Sequence, residues 1–229
     1  MRCVRCLGAG LLVLLAGCGG PRAPTAQGTV DATPPVPADA AGGATSPAHD
    51  RQQIILVQDR LGQARTTIED QYRANPAAYK LPNPHVPYCF KPPFPVLAPT
   101  DLVGFEADPQ VQSDLTDMGA RITIRLVDQG DPRRWVEVWQ GMGCYGTLAG
   151  APPDATHVVG PQPVEVQGVQ AATQQPQLQS WREPDGGTTV WLLWYSDVWS
   201  SPNAMYQLTG HNIPAETVIR IAAAMRPID

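Results

Sequence analysis

The thiol of Cys18 is the side chain whose neighbours prescribe a reaction most directly. Leu15-Ala16-Gly17-Cys18 is a run of small residues ending in cysteine behind an apolar stretch, the lipobox pattern that marks a thiol for lipid attachment. Arg2 and Arg5 make a basic n-region, and Leu7 to Ala16 form an apolar h-region too short to span a bilayer. The expectation is a signal peptide over residues 1–17, removed to leave Cys18 as the lipidated N-terminus. At about 0.8 kcal/mol per buried methylene, two or more acyl chains hold a protein stably at a membrane.

A second pair of thiols has redox chemistry open to it. Of five cysteines, Cys3 and Cys6 leave with the leader and Cys18 takes lipid, so Cys89 and Cys144 remain. In an exported chain two cysteines allow one connectivity, and metal binding would want more ligands at closer spacing. A Cys89–Cys144 disulfide is expected.

Other reactive constellations are missing from the sequence. It has no Gly-x-Ser-x-Gly elbow, phosphate-binding glycine loop or His-Glu-x-x-His helix. Histidines 49, 85, 157 and 211 are scattered without metal-ligand spacing, and His211 beside Asn212 reads as a surface or capping residue. Asp114 and Asp117 lack the further oxygen ligands of a calcium loop and read as a solvated turn. No catalytic residue, metal or cofactor is assigned, and an enzyme is not expected.

The aromatic residues have more to offer. Trp191, Trp194, Tyr195 and Trp199 fall close together, with Trp181 across a hairpin and Trp135 and Trp139 on a neighbouring strand. On a strand 191 and 195 point one way and 194 the other, so both faces of a sheet would carry large rings. Two readings stand: a two-sided core with a loop around Trp199 laid against it, or an open aromatic face able to bind a sugar, lipid or peptide.

These side chains need elements to position them. From Gly19 to about His49 the chain is almost wholly Gly, Pro, Ala, Thr and Ser and cannot bury a core, so residues 18–49 read as a lipidated tether reaching about 30 Å as a flexible coil. A folded domain over residues 50–229 follows. Ile54, Val57, Leu61, Ala64, Ile68 and Tyr72 recur at spacings of three and four, giving an amphipathic helix from about Asp50, a plausible N-cap, to just before Asn75-Pro76. Between Leu81 and Pro99 seven prolines force an extended lead-in, with Tyr88, Phe90 and Phe94 packed down as anchors.

Beyond Asp101 the period becomes two. Strands are expected around Arg121–Leu126, Trp135–Trp139, Val164–Ala171, Gln177–Arg182, Thr188–Tyr195 and Met205–Leu208, with a hairpin turn at Glu183–Gly187. A closing helix starts near Asn212 and Pro214, carries Val218, Ile221, Ala222 and Met225 on its buried stripe, and ends at Arg226-Pro227. The plan is α+β: an antiparallel meander sheet with an N-terminal amphipathic helix and a C-terminal helix packed on it.

The runs Pro163 to Val169, Val190-Trp191-Leu192-Leu193-Trp194, Tyr206-Gln207-Leu208-Thr209-Gly210 and Ile213 to Met225 resemble a C-terminal domain of unknown function shared by bacterial lipoproteins and anti-sigma-factor-like membrane proteins. Phe94-Pro95-Val96-Leu97-Ala98-Pro99-Thr100-Asp101-Leu102 is similar to the proline-rich lead-in of such proteins. The resemblance spans about residues 94–228, with an insertion around Ser196 to Asn203. It implies an envelope location and a fold related to lipoprotein carriers, and no catalytic residues.

Removing Arg2 and Arg5 with the leader takes the formal charge from −5 to about −7, which argues against nucleic acid as a partner. The expectation is a non-enzymatic envelope lipoprotein, anchored to the cell membrane or outer membrane by its lipid and facing the periplasm or exterior. Its tethered domain would bind a ligand or a protein partner, or else carry a lipid or other hydrophobic ligand in a cavity between sheet and helices.

Overall fold

A computed structural model describes residues 46–80, 90–116, 118–143, 151–169, 175–195 and 203–228. Cys18, Cys89, Cys144, Asp117 and Trp199 lie outside the described residues, as do Tyr88 and His85.

Helix α1 runs Pro47–Ala74, starting earlier than the apolar stripe demands because Ser46 caps it, its hydroxyl accepting the Ala48 N–H, and Pro47 occupies the first turn. It stops where expected, before Pro76. Val57, Leu61, Ala64 and Ile68 are its buried residues. The lead-in is strapped to this helix: Phe90 meets Tyr72 and Phe94 edge-to-face at centroid distances of 5.3 and 6.0 Å, and the Phe94 N–H donates to Glu69 at 2.8 Å. Phe90 and Phe94 are anchors, as their spacing among the prolines suggested.

The main sheet has seven strands: β2 (Phe105–Thr116), β3 (Gly119–Asp128), β4 (Trp135–Gly143), β5 (Thr156–Pro163), β6 (Gln177–Arg182), β7 (Thr188–Tyr195) and β8 (Asn203–His211). Every pairing is antiparallel, and the order is β2-β3-β4-β8-β7-β6-β5. It is thus two meanders joined at β4–β8. After β4 the chain crosses to the far edge and walks back inward.

A short ribbon of β1 (Leu97–Pro99) and β9 (Met225–Pro227) lies apart from this sheet. Gln140 on β4 reaches it. Its amide accepts from the Leu97 N–H and donates to the Leu97 carbonyl, both at 2.7 Å, doing for β1 what a neighbouring strand would. Helix α2 (Ala215–Ala223) packs Val218, Ile221 and Ala222 against β7 and β8, while α1 packs over β2 and β3. Both helices and the ribbon share one apolar core with the inward residues of the sheet, among them Ile122, Ile124, Leu126, Val138, Leu192 and Leu208.

Four expectations are corrected in detail. The stretch 164–169 is not a strand: Val169 N–H bonds back to the Val166 carbonyl and Gly168 has φ +80°, a turn that ends β5 early. The last sheet strand extends to His211. Asn212 does not cap α2. It sits at φ +54°, its side chain accepting from the Thr188 N–H, and so ties β8 to the β6–β7 hairpin. Met225, Arg226 and Pro227 belong to β9, where Met225 is buried from a strand rather than a helix.

Candidate functional site

The rings on β7 divide between the two faces as their alternation requires. Trp194 joins Val190 and Leu192 beneath the helix layer, and Trp191 and Leu193 face away from it. The outward face is itself half closed. Trp181, Trp191, Leu193 and Met205 form a second buried cluster against which Trp139, Tyr195, Ala151 and Ala155 pack. The crossover from β4 to β5 thus supplies Ala151 and Ala155 as cover. Gly141 makes room here, since a β-carbon at that position would fall inside the Trp139 ring. Burial raises the Tyr195 phenol above its ordinary pKa. The Trp191 indole N–H is buried with no hydrogen-bond partner among the described residues.

Toward β2 and β3 the same face turns polar, with Asp114 paired to Arg121 and Arg125 to Glu137. Asp114 therefore belongs to a cross-strand ion pair. No group of three or more His, Cys, Asp and Glu side chains suited to a metal occurs among the described residues.

Under the helix layer, Trp194 stands beside an apolar pocket of about 620 Å³, a size suited to a small-molecule ligand. Four segments meet there: the lead-in with Phe94 and Val96, the turn with Val169, strands β7 and β8 with Trp194 and Tyr206, and the β9 segment with Met225 and Ile228. Trp194 and Tyr206 stack at 5.3 Å and 20° between planes. The Tyr206 hydroxyl donates to the Pro95 carbonyl at 3.0 Å, so the ring pair is held at both ends. Arg65 and Arg226 stand among the lining residues. The Arg65 guanidinium donates to the Ile228 carbonyl at 2.9 Å, and Arg226 to the carbonyls of Ala223 and Met225 at 2.8 and 2.7 Å. The described lining contains no carboxylate.

Of the four aromatic candidates, the structure places Trp194 on this pocket and Trp191 and Tyr195 on the opposite face; Trp199 lies outside the described residues. The pocket's other walls went unread in the sequence. Val169, Met225 and Ile228 are ordinary aliphatic residues far apart along the chain, and only the β1–β9 ribbon brings the C-terminal segment back to the lead-in.

His211 contacts Thr189, and its ring stacks on Trp135 at 5.2 Å. His49 pairs with Glu106, and His157 is exposed at φ +49°. Thr189 donates to Glu183 at 2.8 Å and lies 3.3 Å from His211 Nδ1. Histidine and carboxylate thus both act on the hydroxyl, whereas a hydrolytic triad needs the carboxylate to orient the imidazole. No helix among the described residues is long and apolar enough to cross a membrane. The chain matches no protein-family profile, no curated protein and no solved structure.

Proposed function

We propose that this chain is a non-enzymatic envelope lipoprotein, lipidated at Cys18, whose tethered α+β domain binds an apolar small molecule between the sheet and the lead-in. The pocket beside Trp194 carries this reading: it is apolar, of ligand size, and walled by rings held through stacking and a hydrogen bond. Such a site is pre-organised, so ligand burial is not spent on ordering side chains. The guanidiniums of Arg65 and Arg226 suit a ligand with a polar or anionic end. A carrier role follows if the ligand is exchanged with a membrane. A Cys89–Cys144 disulfide belongs to the same proposal, since an exported chain is oxidised.

Residues 19–229, exported to a bacterial periplasm behind a cleavable leader, should show by native mass spectrometry a co-purified mass that is lost on denaturation. Val169→Trp, at a half-buried wall of the pocket, should abolish that adduct and the uptake of a fluorescent fatty acid. A bare protein mass together with no fatty-acid uptake by the unsubstituted domain would sink the apolar-ligand reading.

A further inference from the structure

On the sheet face opposite the helix layer, a second hollow of about 480 Å³ opens where β6, β7 and β8 end at the hairpin turn. We propose that this hollow is a binding site for a neutral saccharide ring, separate from the apolar pocket.

The register builds the slot. Thr189 pairs with His211 on one side and with Trp181 on the other. A small residue therefore floors a gap between an imidazole and an indole whose strands lie about 10 Å apart, twice the strand spacing. The hollow opens over that gap. The end of the slot is the turn Glu183–Gly187, which is itself tightly fixed. Glu183 N–H donates to the Gly187 carbonyl at 2.8 Å, Gly186 N–H to the Glu183 carbonyl at 3.0 Å, and Gly187 N–H to Asp185 at 2.9 Å.

Its chemistry is that of a sugar site. Aromatic faces take the C–H face of a pyranose, and carboxylates and hydroxyls take its hydroxyl groups. Trp135 and Trp181 both line the hollow, Trp181 with its N–H committed to Glu183 at 2.7 Å. The Thr189 hydroxyl donates to the same Glu183 oxygen, and because its proton is used there it accepts from His211 Nδ1. The second oxygens of the Glu183 and Asp185 carboxylates are then the acceptors at the slot's end, and Thr209 adds a hydroxyl at its side.

A cationic ligand is less well served. The Trp135 ring that would attract it already carries Arg125, 4.4 Å from the ring centroid. His211 from the other flanking strand stacks on the same ring.

The test uses the full-length chain in an uncharged, non-glycosidic detergent, with saturation-transfer NMR against chitotetraose, maltotetraose and tetramethylammonium. Transfer to the ring C–H protons of at least one saccharide is expected. Trp181→Leu and Asp185→Ala should each weaken that binding at least tenfold, while Gln63→Ala on α1 leaves it unchanged. Asp185 is exposed on the turn, so Asp185→Ala decides alone if Trp181→Leu fails to fold. The proposal is overturned by no transfer from either saccharide, by tetramethylammonium binding in their place, or by a folded Asp185→Ala protein that binds normally.

Discussion

At the scale of single residues, Gln140 shows how a buried polar side chain earns its place. It is fully buried and gives both of its hydrogen bonds to Leu97, so the β1–β9 ribbon has a partner on the side away from β9. Gln140→Leu keeps the volume and strips two backbone groups of their partners. The expected loss is about 2–4 kcal/mol in urea unfolding, the cost of leaving a buried donor and acceptor unmet. A loss below about 1 kcal/mol would show that the ribbon is held by its apolar contacts alone. Trp191 is the converse case: its N–H is buried with no partner among the described residues, so the ring sits there for its area and shape. From the sequence Trp191 and Trp194 looked alike as binding candidates. The sheet face each ring takes and the stack of Trp194 on Tyr206 separate them.

At the scale of elements, α2 rests on β8 at Gly210. A β-carbon there would come within 2.6–2.7 Å of Ile213 and Val218, so the helix lies closer to the strand than any larger residue allows. Gly210→Ala should cost about 1–3 kcal/mol by overpacking, and Val218→Ala in the same chain should return part of that loss in a double-mutant cycle. Strict additivity would mean that the helix simply shifts away. Elements with a strong period were legible beforehand: the α1 stripe, the alternation of β3 and β4, and the β6–β7 hairpin with its turn. Those that failed had weak local signals. The run 164–169 is apolar enough for a strand, yet Gly168 turns it. Met225 follows the helical spacing, but pairing with β1 draws it into a strand.

At the scale of the whole molecule, the proposed disulfide would cross-link the lead-in to the chain beyond β4. Phe90, next to Cys89, is fully buried, and Gly143, next to Cys144, closes β4, so both neighbours are fixed in the fold. The domain purified from an oxidising compartment should weigh two hydrogens less than its reduced form. Reduction should cost roughly 4 kcal/mol of stability in the chain-entropy model. Two free thiols by mass would remove the staple and leave the lead-in held by Phe90, Phe94 and the Glu69 contact.

Local information in the sequence determined the α+β class and carries the patterns from which a lipobox and a tether are proposed, because composition and period act over a few neighbouring residues. It also predicted that 194 would face away from 191 and 195, since strand geometry alone requires it. Tertiary structure decided which of those faces the helices cover, and it placed β8 beside β4 by a crossover that no local pattern encodes. Both hollows are products of that arrangement. One joins the lead-in to the C-terminal ribbon, the other joins three strand ends to a hairpin turn, and contacts between residues so distant in sequence are set by packing of the whole core.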